Sequence, residues 1–383
     1  MVVWIQNPFD NLPAEGFRKQ RYWMMAEAFV RAGHRVVLWT SDFSHARKAK
    51  RASGRGGGGD AGGVEVRLIP TPPYRSTVSL ARVRSHRAYA RAWRLLAVGA
   101  APGPDLVVTS APTLSAASAA LDIGRACGAK VAVDVMDAWP ETFERLAPRG
   151  FGWLARLALA PLRATARRLY READLVTGVA ARYRALTGRA DYHLAYHGIE
   201  GVGAADGVRP PHPGEAIRLV YAGNLGRTYD LGTVVRAVEA NADFELDVAG
   251  FGVFSSACPR VRFHGLLSGP DLDDLLKRCD VGLVPMTAES WVGVPYKFCD
   301  YAKAGLAIVS SLGGESADLL ARHACGTTYR AGDADSLAAA VRRAARLDRG
   351  ASRRMCAREF DAVGIYDAYV RVCQDLVKSR PSV

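Results

Sequence analysis

The sequence predicts an α/β protein built from two doubly wound, parallel-sheet domains. Three observations carry that expectation. Short apolar runs bounded by turn residues alternate with helix-length segments along the whole chain, the rhythm of strand–helix–strand units. The rhythm breaks at a Gly/Pro-rich stretch, GVGAADGVRPPHPGE (201–215), and then restarts. At 383 residues the chain also exceeds one ordinary core, since a domain typically takes about 150 residues.

The elements follow in order. VVWIQ (2–6) reads as the first strand, followed by the loop NPFDNLPAEGF and an amphipathic helix from about Arg18 to Arg31, with an apolar stripe of Tyr22, Met25, Ala26, Phe29 and Val30. Gly33 stops that helix. HRVVLWTS (34–41) is a continuous apolar run, as expected of a parallel strand covered on both faces. A basic, glycine-rich stretch (47–63) leads to the strand VEVRLIP (64–70). A helix carrying Arg82, Arg84, Arg87, Arg91 and Arg94 comes next. PDLVVTS (104–110) and AKVAVDV (129–135) then flank an alanine-rich helix, and a second basic helix (Arg156 to Arg171) precedes DLVTGV (174–179). Beyond the 201–215 stretch the expected strands are RLVYAGN (218–224), FELDVAGFG (244–252), VRFHG (261–265), DVGLVPM (280–286) and LAIVSS (306–311), interleaved with helices. The expected domains are 1–200 and 201–360, with a last helix in 361–383 that can belong to either.

Composition narrows the function. Apolar residues make up 49% and charged residues 23%, which excludes a disordered or fibrous chain. No run of 18 apolar residues occurs and no basic-then-apolar leader opens the chain, so the expectation is a cytoplasmic protein. Seven scattered cysteines without CxxC spacing argue against a disulfide framework or a structural zinc site. The net charge of +13 is one-sided: residues 1–200 hold 29 Lys and Arg against 16 Asp and Glu, whereas the remainder holds 22 against 22. Such asymmetry suits an anionic partner of the first half, whether nucleic acid, an anionic membrane or a phosphorylated substrate, unless it only reflects arginine on solvated faces.

The most specific segment is ESWVGVPYKFCDYAKAGLAIVSS, Glu289 to Ser311. It places a glycine turn after an apolar strand, then Lys297 and Asp300 in the opening of a helix. A helix N-terminus offers unpaired N–H groups and a positive dipole end to a diphosphate, Lys297 adds a cation, and Asp300 can accept from ribose hydroxyls. A capped structural helix with a surface lysine is the plainer alternative.

Here the sequence resembles the retaining glycosyltransferases of family 4, closest to the bacterial polysaccharide and O-antigen subgroup. The strings that carry the resemblance are QNPFDNLPAEGFRKQRYWMMAEAFVRAGHRVVLWTSDFSH, VDVMDAWPE (133–141), AYHGIE (195–200), YAGNLGR (221–227) and VPYKFCDYAKAG (294–305). It implies the GT-B architecture, two Rossmann-like domains facing a cleft, with the acceptor held by the first domain and a nucleotide-sugar donor by the second.

Residue by residue, the resemblance makes Arg227 and Lys297 the cations at the donor diphosphate and Asp137 the acidic residue beside the donor sugar. Gly223 and Asn224 match the phosphate-side turn, and Gly16 and Phe17 match a loop whose backbone approaches the phosphates. Asp300 matches the residue that holds the ribose, and His264 to Leu266 the backbone that meets the base. Three departures accompany it. No Lys follows Arg227 by four or five residues, where the chain reads TYDLG. The family's first acidic position falls on Val292, so Glu289 or the backbone of Gly293, Val294 and Pro295 must face the sugar. Met136 stands where many relatives have His.

The implied function is transfer of a sugar from a UDP-sugar, or alternatively a GDP-sugar, to a glycan or polyprenyl-diphosphate-linked acceptor in surface-polysaccharide assembly. No cofactor and no divalent metal are expected, because Asp333 and Asp335 read as a helix start rather than a metal-binding DxD. Peripheral contact with the inner face of the membrane is expected through the 82–94 helix and the 47–55 loop. A nucleotide-sugar epimerase or hydrolase on the same scaffold, and a basic nucleic-acid-binding protein, are the competing readings; no nucleic-acid module is visible.

Overall fold

A computed structural model describes residues 1–16, 18–51, 60–76, 79–145, 152–202, 216–226 and 228–379. The chain divides into two compact units, Met1–Ala195 with Val363–Val383, and Tyr196–Ala362. Both are Rossmann-like α/β domains with parallel sheets.

In the first unit the strands are β1 (Val2–Gln6), β2 (Arg35–Ser41), β3 (Phe43–Ser44), β4 (Ala49–Lys50), β5 (Asp60–Ala61), β6 (Val64–Ile69), β7 (Leu106–Ala111), β8 (Lys130–Val135), β9 (Leu175–Gly178) and β10 (His193–Leu194). The helices are α1 (Arg21–Arg31), α2 (Leu80–Ala97), α3 (Leu114–Cys127), α4 (Glu141–Arg145), α5 (Gly152–Glu172) and α6 (Tyr183–Thr187). Among the described residues the main sheet runs β10-β9-β8-β7-β1-β2-β6-β5, parallel except for β5, and β3 pairs with β4 alone. The strand order reverses between β1 and β7, so the carboxyl ends there open a crevice that helices do not fill. The central strands are apolar on both faces because helices cover both sides, which is why they read as unbroken apolar runs.

The second unit holds β11 (Ile217–Ala222), β12 (Phe244–Ala249), β13 (Val261–Gly265), β14 (Val281–Val284), β15 (Ala307–Ser310) and β16 (Gly326–Thr328). Its helices are α7 (Leu231–Ala240), α8 (Gly269–Arg278), α9 (Tyr296–Ala304), α10 (Glu315–Arg322), α11 (Ala334–Ala344) and α12 (Arg349–Glu359). Among the described residues these six strands pair in parallel in the order β13-β12-β11-β14-β15-β16, with the reversal between β11 and β14. The last helix, α13 (Ala362–Lys378), belongs to the first unit.

The structure corrects several expectations. The first helix begins at Arg21, not Arg18, because Gln20 is extended at its N-cap (φ −110°, ψ 176°) and its Oε1 accepts from the Asn11 N–H. That helix is buried well beyond one stripe, Trp23, Met24 and Ala28 included. The reason lies far along the chain: α13 lies over it, with Tyr369 edge-on to Phe29 at 6.3 Å, Asp367 paired to Arg31 at 2.7 Å and the Gln374 amide 2.8 Å from His34. The strand β16, only GTT and at a sheet edge, carries too little apolar pattern to be legible.

Candidate functional site

The second unit's reversal point is where side chains of different elements converge. β11 ends at Ala222, and Gly223 continues with φ +144°, a conformation that excludes most L-residues. Gly250, after β12, has φ +145°, and a Cβ there would collide with the Gly223 carbonyl. Two glycine turns therefore stack, held by the Gly223 N–H donating to the Ala249 carbonyl at 2.9 Å. Immediately against this turn lies the side chain of Lys297 from the first turn of α9: a Cβ on Gly223 would sit 3.1 Å from its Nζ. The rings of Tyr221 and Tyr229 hold that ammonium, their centroids 4.0 and 3.7 Å away.

Lys297 is 7% exposed, and among the described residues its Nζ makes no hydrogen bond. Burial lowers its pKa to about 7, with the Asp300 carboxylate working in the opposite direction. A buried cation supported by aromatic faces and lacking an anionic hydrogen-bond acceptor is poised for one. Pro295 caps α9 with no side-chain hydrogen bond, and the dipole of that nine-residue helix adds positive potential at the same end. Gly293 and Val294 are buried, and the Gly293 carbonyl accepts from Ser316 Oγ at 2.5 Å, which fixes the approach to α9.

Asp300 lies one turn into α9 rather than at its opening, half-buried. Asn224 is tied by its carbonyl, which accepts from the Tyr221 hydroxyl at 2.5 Å. Arg227 lies outside the described residues, but its neighbours are pinned: Tyr229 bridges to Met286, and the Asp230 N–H donates to the Pro285 carbonyl at 2.7 Å. Of the two positions, four and five residues after Arg227, at which the resemblance would put a Lys, this chain has Leu231, 3% exposed in the core, and Gly232. Glu289 is exposed and Val292 half-buried. Leu266 is 74% exposed beyond β13, and the carbonyl of the preceding Gly265 accepts from the Gly250 N–H at 2.7 Å. His264 Nε2 lies 2.6 Å from Asp247, so its ring turns to the sheet neighbour. Asp333 caps α11 by accepting from the Ser336 N–H at 2.8 Å, the helix start expected for GDADS. Among the described residues, no three His, Cys, Asp or Glu side chains gather as a metal site.

The first unit presents a second cluster at the carboxyl ends of its strands. Gly16 closes a 3₁₀ turn (Pro13–Glu15) in the left-handed region (φ +74°), and a Cβ there would meet nothing within 4 Å; Phe17 lies outside the described residues. Asp137 follows β8 with one side open to solvent; the protein around its carboxyl raises its pKa, while the Ala138 N–H and Arg82 pull it down. Arg82 stacks on Phe9 (5.3 Å) and donates to His86 Nε2 at 3.3 Å, and Lys48 lies over the Tyr74 ring at 5.0 Å. Burial, with Lys48 and Arg82 adding to it, lowers the His45 pKa to about 4, and burial, with Arg82 and His45 adding to it, lowers that of His86 to about 3. Phe9, Tyr74 and His86 line a recess here. Arg51, expected to face a membrane, turns inward instead: its guanidinium donates to Thr40 Oγ1, to the Ser41 carbonyl and to the Asp10 carbonyl at 2.6 to 3.0 Å.

Sequence reasoning misses the tyrosine pair around Lys297. The only available signal is the TYDLG string, in which Tyr229 follows Arg227 by two residues.

The two units are the Rossmann-like domains of the GT-B fold, and the chain is a glycosyltransferase. Residues 19–192 match the family described as glycosyl transferase 4-like domain, and residues 216–346 match glycosyl transferases group 1, so each unit carries its own match. No curated protein sequence matches the chain. Among solved structures, sucrose-phosphate synthase from Thermosynechococcus elongatus aligns with a TM-score of 0.75 at 12% identity, covering 99% of this chain and 100% of that one. Anabaena HepE in complex with UDP-glucose aligns at 0.64 and 12% identity, covering 98% and 100%. The lipopolysaccharide outer core galactosyltransferase WaaB aligns at 0.63 and 13% identity, also covering 98% and 100%. Among the described residues no helix is long and apolar enough to cross a membrane.

Proposed function

We propose that the protein is a retaining glycosyltransferase that moves a sugar from a UDP-sugar to a glycan or lipid-linked acceptor in surface-polysaccharide assembly, without a divalent metal and at the inner face of the membrane. The observation that carries the reading is the Lys297 ammonium, buried between Tyr221 and Tyr229 and set against the Gly223 turn. Cleaving a sugar from a nucleoside diphosphate builds charge on the β-phosphate, and a fixed cation stabilises that charge more as the bond breaks than before. In this reading Lys297, Arg227 and the start of α9 supply the positive potential that a metal supplies elsewhere, with Gly223 and Asn224 at the phosphates. Asp300 takes the ribose, and Leu266 and the backbone around it take the base. Glu289, Gly293, Val294 and Pro295 face the sugar from one side. Gly16, Phe17 and Asp137 keep the donor-side roles that the family resemblance gives them. UDP is favoured over GDP by the subgroup resemblance and by HepE, whose structures hold UDP and UDP-glucose.

The test begins with thermal shift. UDP at about 100 times its dissociation constant stabilises the native state by about 2.7 kcal/mol, and Lys297→Met and Arg227→Ala are expected to abolish that shift. Donor turnover is then followed by NMR. Transfer with retained anomeric configuration that survives EDTA supports the reading. Release of free sugar or an epimer as the sole product, or a loss above about tenfold on chelation that magnesium restores, overturns it.

A further inference from the structure

The first half of α5 inverts the usual logic of a surface helix. Over the whole helix only Ala166, Leu169 and Tyr170 are buried, while Trp153 is 64% and Leu157 68% exposed. These two begin a stripe at helical spacing, Trp153, Leu157, Ala160 and Ala164, all facing solvent, which Arg168 and Arg171 continue in the second half. The helix α2 shows a related outward stripe, Arg84, Arg87, Arg91 and Leu95. α3 packs against both helices. α2 contains no acidic residue, and the one acid of α5, Glu172, is paired with Arg125 and Arg168.

Exposed Trp and Leu on a net-basic surface, where Glu144 pairs with Arg156 and Arg163 and Asp122 with Arg94 while Arg84, Arg87 and Arg91 face solvent, fit an anionic lipid surface, where apolar side chains enter the acyl boundary and guanidinium groups meet the headgroups. A second copy of this chain suits the patch poorly, because a self-complementary contact would bring like arginine fields together. We propose that α5 is a membrane-insertion helix. It lies in the interface of an anionic bilayer with Trp153 and Leu157 submerged, and the α2 arginines contact headgroups nearby. This deepens the peripheral-membrane part of the proposed function and replaces a purely ionic contact with a partly apolar one.

The test uses the full chain with phosphatidylcholine vesicles, with and without phosphatidylglycerol. The expected result is binding that needs the anionic lipid yet keeps a component resistant to high salt, and a loss of at least about tenfold in Trp153→Glu/Leu157→Glu. The conservative variant Trp153→Phe, which preserves folding, is expected to lose a large share of the tryptophan quenching by brominated lipids seen in the wild type. Stabilisation by UDP should be unchanged in both variants. Wild-type vesicle binding by Trp153→Glu/Leu157→Glu, or equal quenching in Trp153→Phe, overturns the proposal. If only Arg84→Gln/Arg87→Gln/Arg91→Gln loses binding, peripheral association stands and the role of α5 falls. A dimer that Trp153→Glu/Leu157→Glu converts to monomer also overturns it, since the patch is then a protein interface.

Discussion

Lys297 combines two properties that ordinarily oppose each other, near-complete burial and a formal charge. With its pKa lowered to about 7 by burial, the native state binds fewer protons than the unfolded state between about pH 7 and 10.5, so stability rises with pH across that window. Below about pH 7 the cost of the buried ammonium is fully present. Lys297→Met is therefore expected to raise the thermal midpoint of the ligand-free protein at pH 6 by about 4 °C, a gain that fades toward pH 10. The same variant should lose its response to UDP. An anion beside the ammonium restores its charge, so UDP binding at pH 8 should take up protons; calorimetry in two buffers of different ionisation enthalpy measures this. Equal enthalpies in both buffers would show that Lys297 does not meet the phosphates.

Asp134 is the contrasting buried charge, fully satisfied rather than waiting. It receives Arg21 Nε and Nη2 at 2.8 and 2.9 Å, the Tyr22 hydroxyl at 2.8 Å and the Thr177 hydroxyl at 2.7 Å. Burial opposes its charge, but Arg21 and the two hydroxyls more than compensate and hold its pKa low. Asp134→Ala leaves a buried guanidinium without its partner and should destabilise the first unit by about 3–5 kcal/mol, read by urea unfolding.

At the scale of elements, the glycine turns after β11 and β12 decide whether the candidate phosphate site exists. Gly250→Ala adds both backbone strain, about 1–3 kcal/mol, and a collision with the Gly223 carbonyl. It should lower stability and abolish the UDP-induced shift together. Gly62→Ala is the control: its φ is +64° but its Cβ would meet nothing within 4 Å, so only the backbone cost of about 1 kcal/mol applies. If the two variants behave alike, the packing of the two turns is not what matters. Most elements of this kind are legible in the sequence, because a parallel strand buried on both faces is a local apolar run and a glycine turn is a local break. Short edge pieces such as β16 are not, since their pairing partner rather than their composition makes them strands.

At the scale of the whole molecule, the chain leaves the first unit at Ala195 and returns to it with α13. Tyr366, Tyr369 and Cys373 of that helix are at most 1% exposed, so its removal uncovers Phe29 and the face of α1. A chain ending at Asp361 is expected to lose the cooperative unfolding of the first unit while the second unit, which closes on itself at the Ile199–Asp361 bridge, still unfolds cooperatively. Calorimetry would show one transition where the full chain shows two, or one transition of reduced enthalpy. An unchanged trace would mean that α13 contributes little to the first unit.

By itself the sequence determines the α/β alternation, the restart after the 201–215 stretch, the Asp333 helix cap and the presence of a candidate diphosphate segment around Lys297, all of which rest on patterns within a few residues or on strings that resemble a family. Only the tertiary structure decides what surrounds those residues. It sets Lys297 between Tyr221 and Tyr229, turns Arg51 inward, returns α13 to α1, and leaves Trp153 and Leu157 facing solvent on a helix that looks merely basic in sequence. The physical reason is that burial and charge state depend on elements far apart along the chain, and periodicity carries no information about which distant element covers a given face.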